Sequence, residues 1–186
     1  LGAYAIARME FRGRDSLLAV STSLMAVPPV VMIVPLFVLY TQLSLISTYS
    51  GAIIIYAGLI TPFSIYLLTI FFRTLPMELF ESARVDGANH VDVLLKIVLP
   101  LSLPPVLTLI VVNSLYVWND LLIAIIFLQD DGKRTLMAGI SVFQGRYNNR
   151  IPLTMAGMVL ATAPMIILYV SFQKYFVRGL LSGAIK

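Results

Sequence analysis

The residues with the most chemical potential are four carboxylates, Glu78, Glu81, Asp86 and Asp92, set around Gly87 in residues 78–100 (ELFESARVDGANHVDVLLKIVLP). They do not make a catalytic set. The one histidine, His90, lies among them, and with no second histidine and no cysteine it completes no metal site. The chain has no G-x-x-x-x-G-K-[ST] phosphate loop, no H-E-x-x-H and no G-x-S-x-G, and no pair of mid-membrane aspartates suited to intramembrane proteolysis. Catalytic and metal-binding residues are therefore expected to be absent, and any ATP used must be hydrolysed by another chain. What remains for the carboxylates is recognition, by something that grips a charged island from outside a bilayer.

The flanks of that island are membrane-grade. Residues 16–72 contain no Asp, Glu, Lys or Arg, a run of 57 uncharged residues too apolar for a soluble surface. Hydrophobic residues make up 59% of the chain and charged ones 12%, with a mean hydropathy of +0.93, which leaves too few polar groups to cover a globule of 186 residues. An all-α integral membrane protein follows, with one polytopic helical domain over residues 1–186. Leu1 is not an initiator methionine, and LGAYAIA running into Arg8 suits the tail of a spanning helix better than a signal peptide. The chain reads as N-terminally truncated, with spans at about 1–7 (partial), 16–41, 52–72, 97–119 and 151–173.

The polar, turn-rich stretch QLSLISTYSG at 42–51 divides the long run into two halves, each about a bilayer long. Prolines 28, 29, 35, 62, 104, 105 and 164 fall inside the spans and predict kinked helices. Lys and Arg concentrate in residues 8–15, 73–96 and 174–186, which hold nine of the thirteen, so these segments and the C-terminus are expected on the cytoplasmic side. Residues 129–150, with Lys133, Arg134, Arg146 and Arg150, fall on the external side. There Asp130-Asp131-Gly132-Lys133 and Tyr147-Asn148-Asn149-Arg150 form a polar loop, either simply solvated or touching a binding protein.

The island must be positioned by helices. Pro76 suits a helix start, Glu78 and Glu81 sit near the positive end of the first helix dipole, and Leu79, Phe80, Ala83 and Val85 supply apolar contacts. Gly87 offers a turn, and Val91, Leu94 and Leu95 at spacings of three and four predict a second helix before Pro100 opens the next span. A cytoplasmic helix-turn-helix over 76–96, tied at both ends to spanning helices, would move both of them when pushed. The competing reading is an amphipathic helix on the lipid surface, supported by Arg84 and Lys96; the four acidic residues argue against an anionic membrane as partner.

Glu81-Ser82-Ala83, three residues, Gly87, nine residues and Ile97-Val98-Leu99-Pro100 resemble the EAA loop of permease subunits in bacterial ATP-binding-cassette importers, whose pattern is E-A-A, three, G, nine, I-x-L-P. Ser82 for the middle alanine is the one departure. LGAYAIARMEFRGR at the start, WND at 118–120 and YFVRGLLSGAIK at the end are similar to the carbohydrate-importing branch. The resemblance implies an inner-membrane, multi-pass transport subunit of about six spans when intact, moving a sugar or oligosaccharide inward by alternating access. It implies that Glu78, Glu81, Ser82, Ala83, Asp86, Gly87 and Ala88 dock on cytoplasmic ATP-binding-cassette ATPase subunits, which hold the ATP and Mg, so that this chain binds no cofactor. The implied further partners are a second permease subunit, expected to be a different chain, an extracytoplasmic solute-binding protein and the lipid bilayer; no nucleic acid is expected.

Asp120 is the one ionisable group far from an obvious loop. Residues 101–120 make about 30 Å of helix, placing it near the external boundary, and a straight helix on to Leu128 would overshoot a core of about 30 Å, so a bend is expected near 118–120. Asn113, Tyr116, Trp118, Asn119 and Asp120 could then offer hydrogen bonds and an aromatic face to a sugar. Interhelix hydrogen bonding and an interfacial aromatic belt are their alternative roles. Two other function classes stay open: an ion- or proton-coupled secondary transporter, which would need acidic groups near the midplane and shows no inverted repeat, and an intramembrane enzyme, whose catalytic set is missing.

Overall fold

A computed structural model describes residues 1–145, 148–149 and 151–181. Arg146, Tyr147 and Arg150 of the expected external loop, and tail residues 182–186, lie outside the described residues. The chain is built of helices: α1 (Gly2–Arg8), α2 (Arg14–Leu24), α3 (Pro29–Gln42), α4 (Tyr49–Thr74), α5 (Glu78–Val85), α6 (His90–Val93), a π-helical turn (Leu94–Val98), α7 (Leu99–Leu101), α8 (Leu103–Asn119), α9 (Leu122–Phe127), a 3-10 turn (Asp131–Lys133), α10 (Leu136–Ser141) and α11 (Ile151–Leu181). A two-residue antiparallel ribbon pairs β1 (Gln144–Gly145) with β2 (Asn148–Asn149), Gln144 opposite Asn149.

Among the described residues two helices are long and apolar enough to cross a membrane, Tyr49–Thr74 and Ile151–Gln173; two more stretches qualify if each broken helix pair counts as one span. The breaks differ from the kinks expected at the paired prolines. Pro28 and Pro29 cannot donate to the helix before them, so residues 16–41 divide, with α2 ending at Leu24 and α3 starting on Pro29 in its first turn. Pro104 and Pro105 do the same at the start of α8. Pro100 stands in the first turn of α7. His90–Leu101 and Leu103–Asn119 meet at a 73° bend on Ser102, a fully buried residue whose N–H and hydroxyl both reach the Val98 carbonyl, at 2.9 and 2.5 Å.

The described residues form two compact units, those within 1–26, 61–110 and 172–181 in one and those within 27–60 and 111–171 in the other. The first unit has a core of Ala3, Tyr4, Phe72, Phe80, Ala83, Val93, Leu94 and Val98, so α1, the end of α4 and the helices of the charged island share one apolar centre. In the second, Ile33, Tyr40, Ala52, Ile55, Tyr56, Ile123, Phe127 and Leu128 gather α3, the start of α4 and α9, with Phe127 edge-on to Tyr40 and Phe37 at 5.3 and 6.1 Å. Gly157 lets α11 approach α10, since a Cβ there would lie 2.9 Å from Ile140 Cγ1.

Also in the second unit, Ser47 fastens the turn before α4 to the segment after α9. Its N–H donates to the Phe127 carbonyl at 2.8 Å, its hydroxyl accepts from the amides of Gln129 and Asp130, and its carbonyl accepts from Lys133 Nζ at 2.9 Å.

Candidate functional site

The island folds as helix, tight turn, helix. α5 ends by a closed double bond pattern: the Ala88 N–H donates to the Ala83 carbonyl at 2.9 Å and the Gly87 N–H to the Arg84 carbonyl at 3.0 Å. That pattern is a Schellman cap and needs a left-handed residue, which Gly87 supplies with φ of +78°. A Cβ on Gly87 would meet nothing within 4 Å, so the glycine is required by backbone conformation and not by crowding within the chain. Two residues on, Asn89 caps the next helix: its Oδ1 accepts from the amides of Val91 and Asp92 at 2.9 and 3.0 Å. The stop and start are thus separated by Ala88 alone, which fixes the two helices closely in sequence.

The carboxylates fall into two groups. Glu78, Glu81 and Asp86 are exposed, and among the described residues none of them forms an ion pair. Asp92 instead pairs with Lys96 one turn on at 2.7 Å, and that hydrogen bond holds its carboxyl below the usual carboxylate range. Ser82 is exposed, its hydroxyl donating to the Leu79 carbonyl. Ala83 departs from the expected docking surface, because its methyl is buried in the core with Phe80, and Ala88 packs half-buried against the same cluster. Small residues at 83 and 88 let α5 sit close on its neighbours; the outward surface is left to Glu78, Glu81, Ser82, Asp86 and Gly87.

Sequence reasoning missed the residue that ties this island down. Arg8, at the end of α1, donates from Nε to the Phe72 carbonyl at 2.9 Å and from Nη2 to the carbonyls of Phe72 (2.5 Å) and Leu75, while its guanidinium lies 4.2 Å over the Phe80 ring. The carbonyls are those at the C-terminus of α4, where a cation is favoured by the helix dipole. Beside it, Tyr4, Arg84, Asn89 and His90 help to line a groove of about 190 Å³. His90 is exposed on its rim and has no metal-binding companions, there being no such cluster among the described residues.

The expected sugar-facing residues do not all converge. α8 stops at Asn119, where the length argument put a bend, and α9 starts at Leu122. Asp120 sits in the gap, its Oδ2 accepting from the Ala124 N–H at 3.1 Å and from the Tyr56 hydroxyl at 2.9 Å. Asn113 and Tyr116, three apart, share one face of α8. Trp118 does not: its indole N–H is committed to the Ala161 carbonyl on α11 at 3.1 Å, next to the carbonyl that Pro164 leaves without a donor. Asn119 is exposed and its amide returns to the Leu115 carbonyl at 2.8 Å.

Comparison with known proteins gives a consistent picture. A family described as "Binding-protein-dependent transport system inner membrane component" matches residues 1–182. The chain is 40% identical over 126 residues to the melibiose/raffinose/stachyose import permease protein MelC of Bacillus subtilis (strain 168), covering 67% of this chain and 46% of MelC. It is 39% identical over 127 residues to the alpha-glucoside transport system permease protein AglG of Rhizobium meliloti (strain 1021), covering 67% and 33%. The chain thus spans less than half the length of these curated relatives. Among solved structures it is similar, with a TM-score of 0.81 and 26% identity, to a chain in the crystal structure of a bacterial ABC transporter involved in the import of the acidic polysaccharide alginate; the match covers 94% of this chain and 66% of that one.

Proposed function

The chain belongs to the family of binding-protein-dependent transport system inner membrane components, and from that premise we propose that it forms the membrane-crossing part of an ATP-driven importer, passing a saccharide inward by alternating access. The observation that carries this reading is the capped helix-turn-helix of residues 78–101. It presents Glu78, Glu81 and Asp86 outward and, among the described residues, without ion pairs, while its inner face is packed on α1 and the end of α4. An unpaired acidic edge on a rigidly held helix suits docking to a basic groove on a separate ATPase subunit. ATP and Mg reside on that subunit, and this chain holds no cofactor.

In this reading residues 78–101 and the C-terminus face the cytoplasm, a solute-binding protein delivers cargo from outside, and a second, different permease chain completes the pathway through an inner membrane. Asn113, Tyr116, Asn119 and Asp120 offer amides, a phenol and a carboxylate with no cation among them, which favours a neutral saccharide over an acidic one. Trp118 shapes that region from the side, through its bond to α11. Family membership gives no support to the ion- or proton-coupled alternative.

The deciding experiment reconstitutes the full-length protein in vesicles with the ATPase subunits that copurify with it and its solute-binding protein, and screens melibiose, raffinose, maltose, trehalose and alginate oligosaccharides. ATP hydrolysis stimulated by binding protein plus a neutral oligosaccharide, with uptake of that sugar, is expected. Uptake driven by a proton or sodium gradient without ATP would overturn the proposal.

A further inference from the structure

We infer that Arg8 is a positioning residue that welds the acidic helix α5 to α1 and to the C-terminus of α4, so that a push on α5 carries both helices as one body. The transmission half of this statement rests on the function proposed above; the weld itself rests on geometry alone. One planar guanidinium does three things at once. Its edge forks onto the Phe72 and Leu75 carbonyls at the end of α4, its flat face covers the Phe80 ring of α5 at 4.2 Å, and its stem belongs to α1.

Among the described residues Arg8 forms no ion pair, so its charge is answered by helix-end carbonyls and an aromatic face. Phe80 lies in the same buried cluster as Tyr4 and Phe72, so the bond network and the apolar packing connect the same three elements. A lysine would bring its donors on a single atom, without the planar fork spaced for both carbonyls and without a flat face to lie on the ring.

The test uses Arg8→Lys and Phe80→Leu in the full-length chain, with two readouts. In the purified protein, Arg8→Lys should speed amide hydrogen exchange about tenfold in α5 and the last turn of α4, leaving α9 unchanged. In the assembled transporter, saccharide moved per ATP hydrolysed should fall about fivefold, while the amount of ATPase copurified stays at the wild-type level. The double variant should be no worse than the worse single one, because both changes break one strut.

Unchanged exchange in α5, an unchanged transport-to-ATP ratio or simple addition of the two effects would each overturn the inference. If Arg8→Lys does not assemble, Phe80→Leu, which keeps apolar bulk and loses the ring face, decides by the same readouts. Should the wild type show no ATP-dependent uptake, the proposed function fails, and the exchange measurement still decides the weld.

Discussion

The Ala88 amide closes on the Ala83 carbonyl at 2.9 Å across a left-handed Gly87, so the residue that ends α5 also aims the start of the next helix. Any L side chain at 87 must adopt that φ of +78° against a steric cost of about 1–2 kcal/mol, although a Cβ has open space around it. Gly87→Ala should therefore lower the unfolding free energy by about that amount, and Gly87→Asn by less, since asparagine tolerates the left-handed region. Thermal denaturation in detergent checks the order. Transport should suffer more than folding, because the turn also sets where Glu81 and Asp86 stand.

Asn89→Ala removes the acceptor for two amides at once. A loss of about 1 kcal/mol is expected, with Asn89→Ser or Asn89→Asp recovering most of it. Hydrogen exchange at Val91 and Asp92 should accelerate in the alanine variant and return toward normal in the other two; equal protection in all would remove the cap from the account.

In the second unit, Asp120 receives the Tyr56 hydroxyl and the Ala124 amide on the same oxygen. Tyr56→Phe should cost about 1 kcal/mol, the central value for a hydrogen bond in a protein, or more where the bond is shielded from water. Asp120→Asn should cost less in the Tyr56→Phe background than in the wild type. A double-mutant cycle on unfolding measures this, and a coupling energy near zero would contradict the contact.

The Asp92–Lys96 pair gives a pH signature. The folded-state pKa of Asp92 is depressed, mainly by the Lys96 hydrogen bond, so its contribution is present above the ordinary carboxylate range and is lost as pH falls through the lower, folded value. Lys96→Met should therefore change stability at neutral pH and leave it unaltered once both forms carry a protonated Asp92. Unfolding curves from pH 7 down to about 3 test the sign. An effect that grew on acidification would be the wrong one.

The apolar runs and the helix-turn-helix were legible because they rest on local signals: uncharged length, spacing of three and four, and a glycine at a helix end. Asn89 was legible too, as a capping residue three before Asp92, though it was not read that way. The paired prolines misled, since a proline inside an apolar run suggests a kink, whereas these two pairs mark helix starts: Pro28 is the extended cap before Pro29 opens α3, and Pro104 and Pro105 lie in the first turn of α8. Ala83 was read in both directions, as an apolar contact and as part of the docking surface, since alanine is at home on either face of a helix; the core claims it. Arg8 was invisible for another reason: its partner Phe72 is 64 positions away, and no periodicity reports a contact at that distance.

The 73° bend at Ser102 sets the angle at which any force along α7 would reach α8. A thrust delivered along α6 and α7 meets the start of α8 almost broadside, so little of it is spent as axial sliding. In the function proposed above the elbow serves as a crank, handing a stroke at the acidic knuckle to the first turn of α8 as a sideways push.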